Sequence, residues 1–93
     1  MKKVSLLKRF KRRTFKLNRD RMKELILLIL SYELPNMSVQ KLSYIMYLSD
    51  MEAYAQLGEP ITGARYIKLP AFIYPWGLKT ILTEMKRDRL ISL

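Results

Sequence analysis

The chain has 93 residues, 49% of them apolar, enough for one small core and too much for a disordered polymer. It carries a net charge of +10 and has neither cysteine nor histidine. That excludes disulfides, thiolate or imidazole metal ligands, and every serine–histidine or cysteine–histidine mechanism.

The charge is concentrated at one end. Residues 1–23 hold eleven lysines and arginines against the single acid Asp20, while residues 24–93 hold seven basic and seven acidic side chains. The sequence therefore divides into a basic N-terminal arm, residues 1–19, and a neutral domain, residues 20–93. Within the arm Leu6, Phe10, Thr14 and Leu17 recur at helical spacing, with basic residues filling the other faces. Lys8, Arg9, Lys11, Arg12, Arg13 and Lys16 are its candidate nucleic-acid contacts, because cations along an extended or helical segment displace counterions from phosphates. An acidic protein partner, an anionic membrane surface and a simply solvated tail fit the same composition. No base-reading motif accompanies the charge.

The first predicted helix starts at Asn18 or Asp20, with Asn18 as its N-cap, and runs to Leu34, where Pro35 stops it. Met22, Leu25, Ile26, Ile29 and Leu30 form one face. Leu27 and Leu28 extend the apolar surface around the helix, which predicts burial on more than one side. The run "LILLIL" is far shorter than the roughly twenty residues of a membrane span. Its long basic prelude and the following "SYELP" do not fit a signal peptide, so the expected location is the cytoplasm.

After the turn "LPNMSV", Ser38 caps a second helix over residues 39–57, and Gly58 takes the C′ position. Val39, Leu42, Met46, Ser49, Ala53 and Leu57 read as its core stripe. Tyr44, Tyr47, Met51 and Tyr54 make a second row, suited either to packing under the next loop or to a partner surface, since tyrosine joins an apolar ring to a polar tip. "ITGARYIKL", within residues 61–69, has the content of a short strand or hairpin, with Gly63 supplying a positive φ. Pro70 and Pro75 keep "AFIY" out of a helix. A third helix begins near Pro75 or Trp76 and ends near Arg87 or Arg89, with Leu78, Ile81, Leu82 and Met85 as its core stripe. The final "LISL" needs cover, as a short strand or from another chain. The fold class is mainly α: a small single-domain helical fold with a strand or hairpin segment.

Few groups suit catalysis. Asp50 and Glu52 diverge on a helix, and Glu84 and Asp88 share a face flanked by Lys86, Arg87 and Arg89, which reads as solvated surface. There is no phosphate-cradling glycine motif. The chain reads as a non-enzyme with no cofactor.

The stretch "KLSYIMYLSDMEAYAQLGEPITGARYIKLP" resembles the Panacea-domain family, the SocA-like antitoxins of bacteria and their mobile elements. The matching pattern is Lys41, Leu42, Tyr44, Tyr47, Leu48 and Asp50, then residues 60–70, then Pro75, Gly77 and Leu78 at a helix start. "ELILLILSYELPNMS" is similar to the family's first helix and turn, so the likeness spans roughly residues 20–90. Where members carry Tyr-Gly-Pro after the strand, this chain has Ala71, Phe72 and Ile73. The resemblance implies a non-enzymatic domain that neutralises a toxin-like protein by direct contact. With it comes a structural expectation: a clasp of Asp50, Gly58, Thr62, Gly63 and Arg65, in which Asp50 accepts hydrogen bonds from Thr62 or Arg65 and fixes the loop. Tyr66, Lys68 and Trp76, expected to be exposed nearby, join Tyr44, Tyr47, Met51 and Tyr54 as candidate partner contacts. The alternative function is a small nucleic-acid-binding regulator, in which residues 2–21 contact phosphates and the domain forms a homo-oligomer.

Overall fold

The computed structural model describes residues 15–93. Among these residues three helices, α1 (Arg19–Ser31), α2 (Val39–Leu57) and α3 (Leu78–Arg87), enclose a core. A two-stranded antiparallel hairpin, β1 (Tyr66–Lys68) and β2 (Ile73–Pro75), lies between α2 and α3 in the chain. This is the small, mainly helical single domain with a short hairpin expected from the sequence.

Helix α1 starts as its cap predicts: the Asn18 side chain accepts from the Arg21 N–H at 3.0 Å. It stops at Ser31, three residues before the expected end at Leu34. Glu33 turns into the left-handed region at φ 52°, its N–H bonding back to the Leu30 carbonyl, and Leu34 is pushed off helical geometry by Pro35. Met22, Leu25, Ile26 and Ile29 are buried, but Leu27 and Leu28 are exposed, so α1 is covered on one side rather than two.

Helix α2 matches its predicted bounds. Ser38 Oγ accepts from the Lys41 N–H at 3.1 Å, the Lys41 ammonium returns to the Pro35 carbonyl, and Gly58 ends the helix at φ 81°. Its inward face differs from the predicted stripe. Leu42, Ser43, Met46 and Asp50 are buried, whereas Val39 and Leu57 at the helix ends are exposed and Ser49 and Ala53 are half-buried. The helix is rotated so that a carboxylate, not Ala53, faces inward.

In the hairpin Tyr66 pairs with Pro75, Ile67 with Tyr74 and Lys68 with Ile73, so the strand content lies at the end of the 61–69 segment and in the residues after Pro70. Helix α3 begins on Gly77, a left-handed residue with no side chain to cap the helix; the Tyr74 hydroxyl accepts from the Lys79 N–H at 2.8 Å instead. Leu78, Ile81, Leu82 and Met85 are all buried, as the periodicity predicts. At its end Arg89 lies at φ 58°, with Arg89 N–H bonding Lys86 and Leu90 N–H bonding Met85, the paired return bonds of a Schellman motif. That reversal sends the C-terminal residues back along the domain. Ile91 and Leu93 pack against the core without forming a strand, beside a cleft of about 470 Å³ lined by Leu27, Leu30 and Met37.

Among the described residues the core is formed by Met22, Leu25, Ile26, Ile29, Leu42, Met46, Leu78, Ile81, Leu82 and Met85. Glu84 on α3 pairs with Arg19 and with Lys23 on α1, tying the two helices at the surface.

Candidate functional site

The densest polar structure in the domain is where residues 58–65 cross α2. Asp50 is 3% exposed and Thr62 is fully buried. Asp50 Oδ1 accepts from the Thr62 N–H at 2.9 Å, and Oδ2 accepts from the Thr62 hydroxyl and the Tyr66 hydroxyl, each at 2.6 Å. Three donors to one carboxylate make a strong, directional latch, since hydrogen bonds to a charged acceptor are short and about twice as strong as neutral ones.

Thr62 uses every polar group it has. Its hydroxyl also accepts from the Ala64 N–H at 3.0 Å, and its carbonyl accepts from the Asn18 N–H at 2.7 Å. The loop is thus fastened on one side to α2 and on the other to the segment that leads into α1. Gly63 makes the second attachment possible. Its φ is +72°, and a Cβ there would sit 2.2 Å from the Lys16 carbonyl oxygen, so the position needs glycine for conformation and for space. Gly58 needs it for conformation alone, with nothing within 4 Å of a Cβ.

Thr62 belongs to the latch as expected, but Arg65 does not. Arg65 is exposed, and among the described hydrogen bonds it enters through its carbonyl, which accepts from the Trp76 N–H at 2.7 Å. Adjacent residues of extended chain point to opposite sides, so Arg65 and Tyr66 cannot both face Asp50. Tyr66 does, at lower cost than a buried guanidinium. Tyr66 is accordingly half-buried rather than an exposed partner contact. Burial pushes its phenol well above the usual tyrosine range, and the hydrogen bond to Asp50 and the charge of that carboxylate push it the same way. The hydroxyl therefore keeps its proton and stays a donor.

The predicted tyrosine row divides in two. Tyr47 turns toward the clasp, its ring edge-on to Tyr66 at 5.2 Å, and Tyr54 meets Phe15 edge-on at 5.8 Å. Tyr44 and Met51 stay on the outer face, 53% and 43% exposed, and between them lies Leu48 at 46%. Leu48 was absent from the predicted contacts, although its i+4 spacing from Tyr44 and i−3 spacing from Met51 mark it on the same face. Trp76 is 65% exposed and Lys68 is exposed, at the two ends of the hairpin. Of the basic candidates, Lys16 is exposed, with its backbone against Gly63. Lys8, Arg9, Lys11, Arg12 and Arg13 lie outside the described residues.

Beside the clasp is a groove of about 170 Å³. It is lined by the aromatic residues Phe15, Tyr54 and Tyr66 together with Asp50, Met51, Pro60 and Ala64. Among the described residues no group of three histidines, cysteines or carboxylates is placed to hold a metal ion, and no helix is long and apolar enough to cross a membrane. Glu84 and Asp88 are engaged in surface ion pairs, Asp88 with Arg87 at 3.4 Å.

No family model matches the chain, and neither a curated protein nor a solved structure matches it.

Proposed function

We propose that the chain is a protein-binding module of the antitoxin type, a non-catalytic cytoplasmic domain that neutralises a partner protein by direct contact. The observation that carries this reading is the outer face of α2, where Tyr44, Leu48 and Met51 stand in a row in water. Contiguous apolar surface on a small domain is the usual mark of a protein contact, and aromatic residues anchor such contacts. Trp76 and Lys68 on the hairpin add exposed aromatic and cationic groups. The resemblance to the Panacea-domain family supports the same reading. Asp50, Thr62 and Tyr66, which make the clasp, all fall within the two blocks of sequence on which that resemblance rests.

The test is capture from the native host with nuclease present, at low and high salt, using the wild-type chain and Leu48→Glu as paired baits. A protein retained at high salt by the wild type and lost from Leu48→Glu is the expected result. Nucleic acid alone, released as salt rises, would transfer the function to the basic arm and residues 2–21.

A further inference from the structure

We propose that the outer face of α3, with Trp76 at its start, binds single-stranded nucleic acid; this goes beyond the protein-binding reading, which is carried by α2. The charge of the domain is not evenly spread. Residues 38–63, across α2 and the clasp, hold Lys41 against Asp50, Glu52 and Glu59. Residues 76–93 hold Lys79, Lys86, Arg87 and Arg89 against Glu84 and Asp88. Helical geometry sets Glu84 apart from those cations. It is half-buried and turned to α1, where Arg19 and Lys23 both pair with it, so two cations answer one anion. Asp88, at the helix end, pairs with Arg87 at 3.4 Å. Lys79, Thr83 and Lys86 follow one another at i, i+4 and i+7, with Thr80 and Arg87 beside them, all exposed. From Lys79 to Lys86 the helix rises about 10 Å, roughly three phosphate steps of a stacked strand at about 3.4 Å each.

Two further observations select the occupant. Trp76 is 65% exposed and stands between the end of β2 and the start of α3. An aromatic ring beside a row of cations suits an unpaired strand, because the ring stacks on a base while the cations meet the phosphates. In a duplex the base faces are already stacked on one another, which leaves an indole none to cover. The second observation concerns the buried side of the helix. Leu78, Ile81, Leu82 and Met85 are all spent in the core, so α3 has no apolar face to lay into an anionic membrane, as a surface-bound helix must. The chain's most basic stretch joins the domain at the start of α1, and Arg19 there reaches across to Glu84 on α3. A strand held on α3 is thus within one side chain's span of the point where the arm is tethered.

The experiment is a titration of the full chain with an oligothymidylate of about fifteen nucleotides, beside an oligouridylate of equal length to identify the preferred sugar. Affinity is read from the anisotropy of a label on the strand, and stacking from the indole fluorescence of Trp76, the chain's single tryptophan. Saturable quenching of that fluorescence is expected, and binding without quenching by either strand would overturn the proposal. Lys79→Gln, Lys86→Gln and Arg87→Gln together alter exposed side chains only. This variant is expected to bind at least about tenfold more weakly, with a log–log salt slope shallower by about 2, from three contacts of about 0.7 each. Affinity and slope equal to those of the wild type would overturn the proposal. The full chain with Lys8, Arg9, Lys11, Arg12 and Arg13 changed to glutamine should still quench at saturation. Loss of quenching there would overturn it by making the arm the sole site. Poly-glutamate that displaces the strand equally well, charge for charge, would assign the face to an acidic protein instead. Leu48→Glu should bind the strand as the wild type does, so this titration and capture of a partner protein through α2 can fail independently.

Discussion

The flank of α2 that faces residues 58–65 buries a carboxylate, whereas the outer face of the same helix leaves Tyr44, Leu48 and Met51 in water. Each face reverses the ordinary assignment of polar residues to solvent and apolar residues to the core. The reversals are handled differently. Inside, each donor around Asp50 has an acceptor, and no buried side-chain nitrogen or oxygen among the described residues lacks a hydrogen bond. Outside, the described residues leave the apolar row about half exposed. A buried polar group is costly unless satisfied, so the inner flank is a solved structural problem. The outer face leaves its apolar side chains partly in contact with water.

The sharpest way to break this contrast is Asp50→Ala. It strands the buried Thr62 N–H and two hydroxyls, and the expected loss is about 3 kcal/mol of stability. Hydrogen exchange at residues 60–68 should rise far more than at α3, where the core stripe is untouched. Exchange unchanged at 60–68 would mean the loop is held by something other than this latch. Gly63→Ala attacks the other attachment. The left-handed conformation alone costs a residue with a Cβ about 1–2 kcal/mol, and the Lys16 carbonyl must also move. The readout is the Asn18 amide, which should lose its protection as its bond to the Thr62 carbonyl is pulled apart.

Tyr66→Phe is a smaller change that sharpens the account of the latch. Removing one of three donors should cost about 1 kcal/mol. Its pH signature is more telling. The folded phenol is held above its ordinary value, while the unfolded phenol ionises near pH 10. The stability it contributes is therefore complete below about pH 10 and declines as pH rises beyond it, because the unfolded state gives up a proton that the native state keeps. Denaturation from pH 8 to 11 should show a steeper alkaline decline for the wild type than for Tyr66→Phe. Parallel curves would show that Tyr66 is not held as a donor in the folded state.

Much of the frame was legible in the sequence because it rests on local rules. Asn18 and Ser38 cap their helices, Gly58 closes α2, and the α3 stripe is buried residue for residue. The misses come from contacts distant in sequence. The rotation of α2 is set by what Asp50 bonds twelve and sixteen residues away, so an alternation of apolar residues could not reveal it. The choice of Tyr66 over Arg65 depends on which residue of a short extended segment points inward, a parity that is fixed only when the hairpin register is known. Cover for the final residues came from Arg89 in a left-handed conformation, a role composition would have given to glycine. Arg89→Gly should accordingly stabilise the domain by up to about 1 kcal/mol in denaturant.

Leu48→Glu has the smallest expected effect on the fold and isolates the outer face. Leu48 lies away from the core and from the clasp, so its change should alter stability by no more than about 0.5 kcal/mol. A glutamate in the middle of the row nevertheless sets a charge where a partner's apolar surface must come to rest, and a buried charge without a counterion is strongly disfavoured. Partner capture should therefore fail in a variant whose unfolding curve overlays that of the wild type.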